Sequence, residues 1–257
     1  MNSQLLILVS LIIPIIGFIF ISLFKEKSNC REASTLLAAI ALIFCTYSLL
    51  PNILEGVRPE LVLFSITNNL AIHFKVEPFG MLFACIASFL WLINSIYSIG
   101  YMRSNNEKNQ TRFYIFFALA ITSTMGIAFS ANLFTLFIFY EFLTLSTYPL
   151  VTHKGSDKAK RSGRIYLGIL LTSSICLFLP AIIWTYNLAD TIEFTNNGIF
   201  NESYEPIIIT SLLLIFVYGI GKAALMPIHY WLPSAMVAPT PVSALLHAVA
   251  VVKAGVF

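Results

Sequence analysis

Apolar residues run in stretches close to 20 long, separated by short polar segments, along the whole chain. Eight stretches are legible: Leu5–Phe24, Ala33–Leu50, Phe79–Tyr101, Phe113–Ser130, Leu133–Val151, Ile165–Leu188, Ile207–Met226, and one from Ala244 to the last residue, Phe257. A helix rises about 1.5 Å per residue, so about 20 residues cross a hydrocarbon core ~30 Å thick. The pattern predicts an all-α polytopic membrane protein with about eight transmembrane helices. The alternating segments of a membrane β-barrel, each about ten residues long, are absent. The first stretch has no basic region ahead of it and no small-residue cleavage site after it, so it is expected to be a retained helix rather than a signal peptide. The eighth has 14 residues, which reads as a last helix cut short.

The polar segments carry a second pattern. Lys25, Lys27 and Arg31 fall in the first, Arg103, Lys108 and Arg112 in the third, and Lys154, Lys158, Lys160, Arg161 and Arg164 in the fifth, together 11 of the 15 Lys and Arg. The even-numbered segments hold Arg58 and Lys75, and the acidic one carries Asp190, Glu193, Glu202 and Glu205. Basic loops stay in the cytoplasm, so the odd loops are placed inside and the N-terminus outside. The Lys154–Arg164 loop is read first as a solvated inside loop, with anionic lipid or a partner as the alternative. Between Pro51 and Pro78, Leu61–Phe64 and Ala71–Val76 flank Thr67-Asn68-Asn69, as two short strands around a turn would; an irregular loop fits the same residues. Residues 1–75 are thus expected to form a two-helix region with an outer loop, and residues 76–257 the main domain.

Composition narrows the chemistry. The chain is 58% hydrophobic and 11% charged, whereas soluble domains carry about 25% charged residues. Cys30, Cys45, Cys85 and Cys176 are scattered and form no CxxC pair, which points to neither a metal site nor a disulfide framework. There is no Gly-rich phosphate loop, nucleophile constellation or nucleic-acid signature. No cofactor and no catalytic centre are expected in this chain.

Three ionisable residues nevertheless lie inside apolar stretches: Glu141, Lys222 and Lys253. A charge at the bilayer centre costs roughly 2.5–3.5 kcal/mol on insertion scales, so such groups face each other, water or an ion path. Glu141 has eight residues of its stretch before it and ten after. Thr144, Ser146, Thr147 and Tyr148 could extend a polar seam from it, and Pro149 removes one helical donor. Its alternative role is to hydrogen-bond two helices together. Lys222 lies beside Gly219 and Gly221, with Pro227 expected to break the helix just past it; snorkelling to the interface is its alternative. The proline-rich run on to Pro233, Pro239 and Pro241 cannot be a regular span. His229 in that run is either a proton donor in contact with solvent or an interfacial residue. His247 is either a proton carrier alongside Lys253 or a packing residue.

Several runs carry a family resemblance: Tyr97-Ser98-Ile99-Gly100-Tyr101-Met102, Tyr140-Glu141, Gly221-Lys222, Trp231-Leu232-Pro233-Ser234-Ala235-Met236, and Pro239-Thr240-Pro241-Val242-Ser243-Ala244-Leu245-Leu246-His247-Ala248. From about Val76 to its end the chain resembles the antiporter-like subunits shared by Mrp-type multisubunit cation/proton antiporters and respiratory complex I. The resemblance implies the first repeat of a two-repeat fold, with a broken seventh helix marked by Gly221, Pro227 and Pro233. It implies proton translocation, or Na⁺/H⁺ exchange, along Glu141, Lys222, His247 and Lys253; His229, at a position where relatives often carry other polar residues, is a further candidate. The glutamate–lysine pair would switch the lysine's proton affinity. The partners implied are other membrane subunits in an energy-transducing membrane, the cell inner membrane or its equivalent. Any flavin, iron–sulfur or quinone site would belong to other chains. The Thr144–Leu150 run and the Val252-Lys253-Ala254-Gly255 end favour the Mrp type. A complex I or hydrogenase type, and a non-transporting scaffold or inert remnant, are the alternatives.

Overall fold

The structure is a computed structural model that describes residues 3–67, 70–195, 198–200 and 204–257. Asn68 and Asn69 of the expected turn, and Glu202 of the acidic segment, lie outside the described residues. The elements are α1 (Ser3–Leu23), α2 (Ser28–Leu54), β1 (Glu60–Thr67), β2 (Leu70–Lys75), α3 (Pro78–Ser104), α4 (Gln110–Ala128), α5 (Leu133–Val151), α6 (Asp157–Ser173), α7 (Leu179–Ala189), α8 (Pro206–Gly219), α9 (Trp231–Ala235), α10 (Thr240–Ala244) and α11 (Val251–Ala254). A π turn, Ser174–Phe178, joins α6 and α7 into one rod, Asp157–Ala189. Among the described residues, α1 to α5 and this rod are the six helices long and apolar enough to cross a membrane; Pro206–Gly219 and Thr240–Ala254 are shorter apolar helices.

The polarity of the bundle is arranged for lipid. Leu5, Ile15, Ile19 and Leu23 of α1, Leu37 and Phe44 of α2, and Leu82 and Ile96 of α3 are exposed. Helix α4 is the opposite: every residue from Ala120 to Ala128 is buried, including Thr122, Ser123 and Thr124. Those hydroxyls donate to carbonyls of their own helix one turn back, which is how a polar group is tolerated where water is absent. Helices α1, α3 and α5 pack around α4.

The two ends of the bundle differ. At one end the antiparallel hairpin β1–β2 is stitched to the α4–α5 connection: Lys75 N–H donates to the Phe129 carbonyl at 2.7 Å, and Ala131 N–H to that of His73 at 3.0 Å. The segment after α7 joins the same patch through Leu133 N–H to the Ile192 carbonyl and Phe194 N–H to the Ala131 carbonyl. Asn132 is the pivot. Its Oδ1 caps α5 by accepting from Thr135 N–H at 2.7 Å, while its Nδ2 donates to the Ala71 carbonyl and to Glu193. At the opposite, basic end, Arg103 pairs with Glu32, and Arg31 donates to Gln110 at 2.7 Å beneath the Tyr114 ring, tying α2, α3 and α4 together.

One expectation needs correction. The seventh stretch does not run helically to Met226: α8 ends at Gly219, upstream of both Lys222 and Pro227. Two glycines placed two residues apart end the helix before the proline can. Helix α5 has the bounds of the fifth stretch, Leu133–Val151, with Pro149 inside it.

A lysine-centred break between helices

The break begins where α8 stops. Ile220 leaves helical geometry (φ −79°, ψ 57°), Gly221–Ala223 form a single 3-10 turn, and Ala224 takes a left-handed conformation at φ 54°. A second 3-10 turn, Ile228–Tyr230, leads into α9. Irregular backbone at membrane depth must be buried in protein or line a cavity, and here it is buried by close approach. A Cβ on Gly221 would come within 2.1 Å of Ser173 Oγ, and one on Gly255 within 2.3 Å of the Ala223 nitrogen. Trp231 is fully buried, and its indole N–H donates to the Gly221 carbonyl at 2.9 Å, meeting one acceptor that the helix has released. Tyr166 packs edge-on against Trp231 and shares a 2.6 Å hydrogen bond with Thr147 of α5. The π turn Ser174–Phe178 packs against α8; π turns inside α-helices commonly sit at functional positions.

Lys222 occupies the centre of this packing and has no exposed surface. Its side chain folds onto Tyr140 of α5: Nζ donates to the Tyr140 carbonyl at 2.7 Å and lies 3.1 Å from the centroid of the ring. Its backbone N–H donates to the Tyr140 hydroxyl at 3.0 Å. Glu141 follows Tyr140 on α5, so its side chain leaves the helix about 100° away. Both carboxylate oxygens of Glu141 are buried and without a hydrogen-bond partner among the described residues. No ion pair joins Glu141 and Lys222 among the described residues.

The other expected residues are distributed around this centre. His229 lies in the second 3-10 turn, with Nδ1 buried and unpartnered among the described residues. His247 lies in a π turn, Leu245–Val249, between α10 and α11, with Nε2 in the same condition. Lys253 is exposed and lines a groove with Phe79, Phe83 and Phe257. Gly221 and Pro227 lie within the break, Gly221 in its first 3-10 turn and Pro227 just ahead of its second, and Pro233 lies past it in α9. Of the hydroxyls expected beside Glu141, those of Thr144, Ser146 and Thr147 are buried, and each donates to a carbonyl of its own helix. The roles of Tyr166, Ser173, Trp231 and Gly255 were not read from the sequence. Tyr166 and Ser173 stood out only as an aromatic and a small residue within an apolar run, and Trp231 and Gly255 only as members of the runs that carry the resemblance.

Comparison with known proteins places the chain in a family. Residues 130–257 match the family described as NADH:quinone oxidoreductase/Mrp antiporter, TM, and residues 64–114 the family described as NADH-Ubiquinone oxidoreductase (complex I), chain 5 N-terminus. The chain belongs to this antiporter-like membrane-subunit family. It is 29% identical over 214 residues to a Staphylococcus haemolyticus protein named as antiporter subunit mnhA2, covering 81% of this chain and 26% of that protein. It is 28% identical over 257 residues to NAD(P)H-quinone oxidoreductase subunit 5 of the Paulinella chromatophora chromatophore, covering 95% of this chain and 38% of the relative. A chain of the Mrp complex from Dietzia sp. DQ12-45-1b has the same fold, with a TM-score of 0.82 at 22% identity, over 100% of this chain and 27% of that one. The chain therefore spans between about a quarter and two fifths of the length of these relatives.

Proposed function

We propose that this chain carries protons, or exchanges Na⁺ for H⁺, as part of an ion-translocating membrane complex, and that Lys222 is the residue that takes up and releases the proton. The observation that carries the reading is the wholly buried Lys222 in a helix break, with the Glu141 carboxylate, unpaired among the described residues, one residue from the carbonyl that Lys222 Nζ donates to. An ammonium has three donors, and among the described residues one of them has a hydrogen-bond acceptor. A charge held this sparingly at depth responds strongly to any neighbour that approaches or withdraws. Moving the Lys222 side chain between Tyr140 and Glu141 would alternate its proton affinity, and His247 and Lys253 would receive what it releases. In this reading the basic end of the bundle faces the cytoplasm.

An Mrp-type antiporter subunit is the favoured host, on the Thr144–Leu150 and Val252–Gly255 runs. A complex I type is the second reading, supported by the chain 5 family match and by the length of the chromatophore alignment. The test is Lys222→Ala and Glu141→Gln in the intact complex, reconstituted in proteoliposomes with a pH-sensitive dye inside. Loss of ion-driven proton movement, with assembly intact, is the expected result. Unchanged movement in both variants would leave the chain as a scaffold.

A further inference from the structure

Helix α6 carries two concavities on one face, one above the other. The upper, about 760 Å³, lies at the basic end and is lined by Lys154, Lys158 and Arg161, with Tyr230 and Ser234 on its far wall. The lower, about 560 Å³, is lined mainly by apolar side chains, among them Ile169 and Leu177 from the α6 rod and Ile228 from the segment after the break. Positions 158, 161, 165, 169, 172 and 176 follow the three- and four-residue spacing that keeps side chains on one helical face. Charge therefore stops after Arg161, and an apolar trough continues below it between the rod and the 227–237 segment.

None of Lys154, Lys158 and Arg161 has a carboxylate within ion-pair distance among the described residues; the nearby Asp157 is fully exposed and pairs weakly with Lys160 at 3.9 Å. A second basic concavity of about 500 Å³ shares Lys154 and adds Lys108, Arg112 and His153, with Glu107 as its acidic member. Three unpaired cations over an apolar trough fit an anionic head attached to an apolar tail. A soluble anion would make no use of the trough, and an uncharged lipid none of the cations.

We propose that this face of α6 binds one anionic phospholipid, its phosphate between Lys154, Lys158 and Arg161 and an acyl chain in the trough reaching Ile169 and Leu177. The trough also includes Ser173, whose Oγ lies against Gly221 beneath Lys222. The lipid would thus wedge the rod against the helix break.

Native mass spectrometry of the delipidated full chain, titrated with phosphatidylglycerol, tests the proposal. The triple variant Lys154→Gln, Lys158→Gln, Arg161→Gln is expected to weaken binding by about tenfold or more. Lys25→Gln with Lys27→Gln, which removes two exposed cations of the same end outside the trough, is expected to leave it unchanged. Ile169→Trp, filling the trough, is expected to weaken phosphatidylglycerol binding while the charge sites remain. The proposal is overturned if both charge variants lose affinity equally, if neither does, or if Ile169→Trp has no effect. Displacement of the lipid by millimolar inorganic phosphate would also overturn it, by making the site one for a soluble anion.

Discussion

Lys222 is held by Tyr140 at three points: Nζ on its carbonyl, Nζ over its ring, and the lysine's own backbone N–H on its hydroxyl. Each contact has a different chemical origin, so substitutions separate them. Tyr140→Phe removes only the hydroxyl and is expected to cost roughly 1 kcal/mol. Tyr140→Ala also removes the buried ring, which packs against Phe178, and is expected to cost roughly 3–5 kcal/mol. Thermal unfolding in detergent, followed by tryptophan fluorescence, distinguishes the two. Equal losses would mean that the ring does not pack as described.

The helix break depends on glycines that let backbones touch. Gly255→Ala would drive a Cβ into the Ala223 backbone, and backbone cannot rotate away. A loss of roughly 1–3 kcal/mol is expected. Gly100→Ala, where a Cβ meets nothing within 4 Å, is the helical control and should be neutral or stabilising. A Gly255 variant as stable as the Gly100 variant would contradict the packing of α11 on the break.

Asn132 joins three elements through one side chain. Asn132→Ala uncaps α5 and leaves the Ala71 carbonyl and the Glu193 carboxylate without this donor. A loss of about 1–2 kcal/mol is expected for the cap. The loosening should be local, so hydrogen exchange should quicken at His73 and Thr135, whose N–H groups point into this junction. Uniform quickening through α1 and α2 would speak against the local reading.

His153, just beyond α5, is buried beside Phe113, with both ring nitrogens unpartnered among the described residues. Burial, then the Arg112 charge, lowers its pKa below the ordinary histidine value, against a smaller opposing influence from Glu107. The unfolded chain therefore binds the proton more readily. The stability contributed by neutral His153 is full above about pH 6.5 and is lost as the pH falls from there through the lower folded-state value. The melting temperature should drop between pH 8 and pH 5.5, and His153→Leu should flatten that drop. An equal drop in the variant would assign the pH dependence to other groups.

The sequence alone determined what depends on local composition and on lipid as the solvent. Stretches of about 20 apolar residues read as membrane helices, so the approximate bounds of the six long apolar helices were legible. Glu141 and Lys222 stood out because a charge in an apolar run is costly wherever its run folds. The hairpin alternation was legible too, though an irregular loop fitted the same residues until β2 was seen bonded to Phe129 and Ala131. Tertiary structure decided everything that depends on direction. Tyr140 and Glu141 are neighbours in the chain, but the helical turn of about 100° per residue gives Tyr140 to Lys222 and leaves Glu141 unpaired. Helix α8 ends at Gly219, ahead of Pro227, and Phe178 and Ser173 approach Gly219 and Gly221 so closely that neither position has room for a Cβ. A hydrophobic pattern records which residues avoid water; it does not record which helix supplies the partner, and at this break the partner sets the geometry.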